Sequence, residues 1–378
     1  MTRSILISGA GIAGSTVAYW LARTGWEVTV VEKAGGSRSS GNPVDVRGEA
    51  TAVARAMGIW PVLQQQATHT ARLAFVDARG RTRAMVATRR GPDPEAEVEV
   101  ARSDLAAALL DAAAADAEIR FDDAISGLRQ HHDGVDVEFL AGAPRRFDLV
   151  LGADGLHSNV RRLVFGPESA YARPFGMFVG TVRTGIRPDD PHTVLMYNEP
   201  GASFSLHPSG GDPLAAFIFR SRQHYDHRDP GAPARILLGA YANAGWIVPQ
   251  VLDQWRAATD VYFDAVTRIT LPRWSTGRVA LLGDAADCLS LLGDGSSNAI
   301  VAAKTLADAL AAQPADHAAA FAAYEARHRT RLRRYQRGAR IASHFLVPAT
   351  RPGIALRNTG ARLVSRWDRA PADPVTAS

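Results

Sequence analysis

The strongest constraint on what this chain can fold into sits at its start. Ile5-Leu6-Ile7-Ser8 is a short β-rich run, followed at once by Gly9-Ala10-Gly11-Ile12-Ala13-Gly14. From Ser15 to Thr24 apolar residues return at helical spacing through Val17, Ala18 and Leu21. Gly25 closes that segment, and Val28-Thr29-Val30-Val31 reads as a second strand ending at Glu32, with Lys33 behind it. Strand, glycine turn, helix, strand and acid in this order specify a dinucleotide-binding βαβ unit. Gly9 permits the tight turn, Gly11 lets the backbone approach a pyrophosphate, and Gly14 lets helix and strand pack closely. The N–H groups at Ile12 and Ala13 open the helix and favour phosphate charge. Glu32 suits the ribose hydroxyls. The residues alone leave NAD and FAD both open.

Composition narrows the remaining classes. Apolar residues make up 46% of the 378 and charged residues 21%, which suits a sizeable core and excludes global disorder. At roughly 100–200 residues per domain, the length indicates two or three lobes. Cys288 is the sole cysteine, so an intrachain disulfide, a Cys-rich zinc site and a two-cysteine redox centre are excluded, and a cytoplasmic location is expected. No metal site is expected. No run of about 18 apolar residues occurs, so no membrane span is expected, and the N-terminus lacks the regions of a signal peptide. The net charge is +5. Basic runs at Arg327-His328-Arg329 and Arg333-Arg334 lack a nucleic-acid motif and read as a solvated helix face, so no nucleic-acid partner is expected. Oligomeric state is not encoded legibly.

Two further motifs follow. Phe147-Asp148-Leu149-Val150-Leu151 leads as a strand into Gly152-Ala153-Asp154-Gly155-Leu156-His157-Ser158, with Val160 and Arg161 behind. Later Arg278-Val279-Ala280-Leu281-Leu282 leads into Gly283-Asp284-Ala285-Ala286, and a helical pattern runs from about Ser297 to Ala312. With the GAGIAG turn and Glu32, these segments resemble the group A flavoprotein monooxygenases of the para-hydroxybenzoate hydroxylase fold. Arg38 to Arg47, RSSGNPVDVR, is most similar to the tetracycline-inactivating and polyketide-hydroxylating branch.

The resemblance implies an α/β fold. A Rossmann-like FAD-binding domain of the glutathione reductase type would be built from 1–70, 101–165 and 274–312. An interleaved antiparallel-sheet substrate domain would come from 71–100 and 166–273, and a C-terminal helical region from 313–378. It implies FAD as cofactor and NAD(P)H as co-substrate. Oxygen would add at the flavin C4a, and the hydroperoxide would hydroxylate an aromatic or polyketide-like small molecule, as in secondary metabolism or antibiotic biosynthesis. Arg102 matches an arginine at the cofactor's phosphates or ribityl chain, and Asp284 an aspartate at the ribityl hydroxyls. Asp154 lies in a segment tied to FAD and pyridine nucleotide. Asp45 matches an acid near the flavin, with Arg47 on the same side of its strand as a substrate contact. Ser297 opens a helix whose N-terminal N–H groups would face the flavin pyrimidine edge, where reduced flavin is electron-rich.

The chain also departs from that pattern. Leu289 and Leu291 stand where prolines are usual, and Asp294 and Ser296 where glycines are usual. Side chains there would narrow approach to the ring, and an acid at the helix start would oppose its dipole. Gly293 and Gly295 could rebuild the turn one residue out of register. Residues 72–100 and 165–273 alternate short β-like runs with turns and read as an antiparallel sheet. Within it Tyr197, Phe217, His207 and Arg220 are candidate substrate contacts, the aromatics equally ordinary core. The chain past Pro314 reads as helical to about Tyr335 and irregular beyond; the apolar residues of Pro352–Trp367 suit either a membrane surface or, as the resemblance implies, packing on the FAD domain. No catalytic acid or base can be named. A halogenase is set aside, because the WxWxIP motif and a suitable lysine are missing. Hydrolases lack a G-x-S-x-G elbow or H-E-x-x-H. A dehydrogenase or oxidative cyclase on the same fold, or a non-redox cyclase or binding template with idle flavin, remains open.

Overall fold

A computed structural model describes residues 3–36, 43–88, 96–209, 211–226, 229–289 and 294–367. The chain forms two compact units. The first comprises 1–67, 93–175 and 266–340, and the second 68–92, 176–265 and 341–378.

The first unit is organised by a six-stranded sheet. Its order is Ser275–Thr276, Val279–Leu281, Leu149–Gly152, Arg3–Ser8, Trp26–Val31 and Glu118–Arg120. All neighbours are parallel except the first pair. Ile5, Leu6, Ile7, Val28, Val30, Leu149, Val150 and Leu151 are all buried. Such near-continuous apolar strands are what a parallel sheet covered on both faces demands. Helix Ile12–Ala22 packs against helices Gly295–Ala312 and Arg102–Ala114. Beside this core, strand Pro43–Arg47 pairs antiparallel with Glu97–Ala101, so the latter belongs to the first unit. The sequence motifs thus fall on strand ends of one parallel sheet, where α/β folds bind ligands. This is the expected α/β architecture.

The second unit is an antiparallel sheet with one parallel pair. Leu214–Arg220 lies between 177–183 and Ala202–His207, then come Thr193–Glu199, Arg72–Val76 and Thr82–Ala87. Helices Ala232–Ala240 and Val248–Ala257 cover one face. Phe178, Phe204, Phe217, Phe219, Tyr241 and Trp255 form the aromatic core there. Beyond Tyr335 the chain is helical rather than irregular, with helices Ala339–Leu346 and Arg351–Trp367. Pro352 sits in the first turn of the last helix, where its missing N–H is harmless. That helix packs on strands Thr82–Ala87 and Thr193–Glu199 of the second unit, instead of the FAD domain. Arg357 explains the choice. Its guanidinium lies 3.9 Å from the Phe75 ring centre and donates to Asn198 at 2.7 Å. Among the described residues no helix is long and apolar enough to cross a membrane, and no cluster of metal-ligating side chains occurs.

Candidate functional site: a track between two helix starts

The first strand ends at Ser8, and Gly9 turns the chain with φ +103°, its N–H donating to Val31 O at 2.7 Å. Gly11 caps helix Ile12–Ala22, with Ile12 and Ala13 buried in the first turn. The two inner glycines differ in kind. A Cβ on Gly14 would lie 1.8 Å from Gly9 O, so packing alone forbids it. A Cβ on Gly11 would meet nothing within 4 Å, although the residue is exposed. Bareness at Gly11 therefore serves a space outside the protein, directly before the helix's unpaired N–H groups. Glu32 stands at the edge of that space. One carboxylate oxygen accepts from Ala10 N at 3.0 Å and the other from Ala34 N at 2.9 Å, which fixes its orientation. Lys33 beside it is exposed.

The track continues from the helix into the late motif. Gly283 adopts φ +61°, and a Cβ there would lie 2.9 Å from the Ala13 Cβ. Asp284 follows in a 3-10 turn, Gly283–Ala285. Its Oδ1 is 3.8 Å from where a Cβ on Gly295 would stand, which brings Asp284 to the start of helix Gly295–Ala312. Burial pushes the Cys288 thiol well up, helped by the charge and hydrogen bond of Asp284. A small cleft, open to solvent, is lined by Asp284, Cys288, Gly295, Asn298, Trp274 and His328. Trp274 Nε1 and His328 Nδ1 are buried there without a partner among the described residues. Burial holds His328 neutral, its pKa pushed down to about 3.

Strand Pro43–Arg47 borders the same helix start. The Ser297 hydroxyl donates to Asp45 O at 2.8 Å and accepts from Arg47 N at 3.3 Å. Arg47 Nε pairs with Asp294 Oδ2 at 3.3 Å. Burial and the Glu99 charge push Asp45 up to about 6, against the pull of Arg47, with Glu97 and Asp294 adding to the rise. Asp45, Arg47, Asp284 and Ser297 therefore gather at one end of the track, and Gly9 through Gly14 with Glu32 at the other. Arg102 is exposed at the first turn of helix Arg102–Ala114 and has no hydrogen-bond or ion-pair partner among the described residues. Its charge is felt at Cys288.

A scan against family models matches an FAD binding domain over residues 2–339. An uncharacterized protein of Mycobacterium tuberculosis is 39% identical over 331 residues, covering 86% of this chain and 89% of its own. A flavin-dependent monooxygenase of Legionella longbeachae is 33% identical over 350 residues, with coverage of 91% and 90%. The solved structure of tetracycline destructase Tet(55) matches with a TM-score of 0.83 at 31% identity, covering 99% of this chain and 98% of that one. The chain belongs to the flavin-dependent monooxygenase family. FAD is the cofactor of this family, and the track fits it. The bare space before Gly11 suits a pyrophosphate, and the fixed carboxylate of Glu32 suits a ribose. The second helix start presents further unpaired N–H groups one residue beyond a bare Gly295.

Other candidates of this monooxygenase stand elsewhere. Both Asp154 oxygens are taken by its own chain. Ser158 Oγ donates at 2.5 Å, and the backbone N–H groups of Asn159 and Val160 at 2.8 and 3.0 Å. Asp154 thus holds the first turn of helix Asn159–Val164, whose cap is Ser158, and, through Ser8 Oγ at 3.4 Å, braces the first strand. Burial raises its pKa. In the second unit, register separates the four substrate candidates. Tyr197 pairs across to Phe204 and Phe204 to Phe217, so all three share the helix-covered face. Phe217 is fully buried in that core, and the Tyr197 hydroxyl donates to Glu199. These two are packing residues, because a side chain closed inside a core has no open surface for a ligand. His207 and Arg220 have the opposite parity. His207 Nε2 meets Ser205 Oγ at 2.9 Å, and burial lowers its pKa to about 4. Arg220 is a strut: it donates to Val347 O at 2.9 Å and Ser343 O at 3.0 Å.

Two residues outside the expected set matter. Arg161 is fully buried and donates to Leu156 O, Ala285 O and Glu168 at 2.6, 3.2 and 2.9 Å. It ties the middle motif to the Gly283–Ala285 turn. Its place directly behind the Gly152–Ser158 motif was the available signal. Asp294 is the other. Gly295 opens the late helix two residues before the expected Ser297, and Asp294 takes the cap position. Leu291 and Gly293 lie outside the described residues.

Proposed function

We propose that this chain is an NAD(P)H-dependent FAD monooxygenase that hydroxylates an aromatic or polyketide-like small molecule. The balanced reaction is substrate–H + O2 + NAD(P)H + H⁺ giving substrate–OH + H2O + NAD(P)⁺. The observation that carries the reading is the continuous track from Gly9–Gly14 and Glu32 through Gly283 and Asp284 to the helix start at Gly295. Bound FAD supplies the two-electron chemistry with NAD(P)H and the activation of O2.

The residues of the chain hold and orient that group. Backbone N–H groups at Gly11, Ile12 and Ala13 take the pyrophosphate, and Glu32 takes the adenosine ribose. Asp284 and Arg102 take the linker between pyrophosphate and ring. The first turn at Gly295–Ser297 offers N–H donors to the ring's pyrimidine edge, where reduction places negative charge. Asp45 lies beside this edge on the ribbon strand. His207 is kept as a polar substrate contact. The likeness to a tetracycline destructase supports the substrate class.

The test is the visible spectrum of the purified protein, followed anaerobically on addition of NADH or NADPH with candidate aromatic polyketides. A yellow protein that bleaches, faster with a ligand present, is expected. A yellow protein that never bleaches under any ligand would overturn the oxygenase reading in favour of an idle flavin.

A further inference from the structure

Asp294 occupies a position that suits glycine. Its φ of 53° and ψ of 44° are left-handed, a conformation that costs a side-chain-bearing residue about 1 kcal/mol or more. Aspartate tolerates such a site better than most residues, and at a helix start its usual use is to accept from the helix's first N–H groups. Asp294 does not do so: its side chain makes no capping hydrogen bond. The carboxylate, only 8% exposed, turns to Arg47 Nε at 3.3 Å. Arg47 is held in place by the same helix, since its backbone N–H donates to Ser297 Oγ. Its guanidinium sits among the carboxylates of Asp294, Asp45 and Glu97, whose charges raise its pKa although burial opposes them. The helix N–H groups are thereby left for a ligand, and the acid next to them is neutralised by a cation on the neighbouring strand.

We propose that Asp294 and Arg47 form a charge-compensating pair that sets the electron affinity of the flavin bound at this helix start. The inference rests on the FAD reading above. Neither side chain needs to touch the ring. Each acts through the field at the helix N-terminus, where opposite charges have opposite effects on an electron-rich reduced ring. The pair has no net charge. The chain thus carries an acid beside the helix start without losing the helix's attraction for negative charge.

The test is a double-mutant cycle on the FAD-loaded protein, read as the two-electron reduction equilibrium by spectroelectrochemistry, with FAD affinity measured in parallel. Asp294→Asn removes the carboxylate paired with Arg47, leaves one more positive charge beside the helix start, and should shift the equilibrium about tenfold toward reduced flavin, which is close to 30 mV for a two-electron couple. Arg47→Met leaves the carboxylate alone and should shift it about tenfold the other way. The double variant should return to within about threefold of the parent. Asp294→Gly, which relieves the left-handed backbone, should reproduce the Asn result and serves if Asn disturbs the turn. Single variants that shift in the same direction, or that both stay within twofold, overturn the pair's role while FAD binding stands. A parent protein that takes up no FAD overturns this inference and the reading beneath it together.

Discussion

Two helices in the first unit begin at a glycine and face the same cofactor track, and they are built on different principles. At Ile12–Ala22 no acidic side chain lies in the first turn, and the residues near it are fixed by backbone packing. At Gly295–Ala312 an aspartate stands at the cap, an arginine answers it, and a buried serine staples the neighbouring strand to the first turn. The first start owes its shape to backbone alone, with open space before Gly11 that suits a pyrophosphate. The second is adjusted by side chains, which fits the reading above in which charge changes at this end of the track.

The largest expected effect would break the first start. Gly14→Ala places a Cβ 1.8 Å from Gly9 O, backbone against backbone. A loss of about 3 kcal/mol or more is expected by chemical denaturation, even without FAD. Gly11→Ala adds the same methyl three residues earlier, into open space. FAD-free stability should fall by only about 1 kcal/mol, the usual cost of alanine at a helix cap, since the methyl meets nothing. FAD affinity should fall at least about tenfold, or 1.4 kcal/mol. Equal losses of stability in the two variants would show that Gly11 also serves packing, and the space before it would lose its meaning as a ligand site.

A smaller effect distinguishes the second start. Asp45 has a folded pKa near 6, raised above its ordinary 3.8 by burial and by Glu99. A carboxyl raised in the fold destabilises the folded state when ionised, so its penalty is absent below about pH 3.8 and complete above about pH 6. Asp45→Asn should therefore stabilise the FAD-free protein at pH 8, with the gain vanishing as the pH falls to 4. Solvent screens the partly exposed carboxyl, which leaves about 1 to 2 kcal/mol. Thermal or denaturant unfolding across that range measures it. A gain independent of pH would mean the carboxyl's shape, not its charge, is what strains the ribbon.

The same contrast explains what was legible in the sequence. Strand, glycine turn, helix and acid are local, and each is forced by backbone geometry, so Gly9, Gly14 and Glu32 could be placed by spacing alone. Asp284 was legible for the same reason, as a residue in a strand-to-turn motif. Asp154 was expected near the cofactor, but its hydrogen bonds to Ser158, Asn159 and Val160 assign it to holding the turn. The Asp294–Arg47 pair spans 247 residues of sequence, and no pattern of spacing encodes such a contact. In the second unit the aromatic candidates were separated from His207 and Arg220 only by strand register. Alternation gives parity within a strand but not which parity meets the helices. The final helix was hidden by Gly353 and Gly360, which lower helical propensity, while its partner surface at Phe75 is distant in sequence.

The smallest effect decides what Ser297 does. Its hydroxyl is fully buried and already has two partners, donating to Asp45 O and accepting from Arg47 N. A hydroxyl so engaged is a staple between strand and helix, whereas the backbone N–H of the same residue is what can face the cofactor. Ser297→Ala should thus cost about 1 kcal/mol of FAD-free stability, the net value of an ordinary buried hydrogen bond. It should change FAD affinity less than about threefold, because the helix and its N–H groups remain. Calorimetric titration of FAD beside thermal unfolding of the free protein separates the two quantities. If affinity falls more than tenfold while stability holds, the hydroxyl itself contacts the cofactor, and the second helix start is tuned by one more side chain than the pair at Asp294 and Arg47.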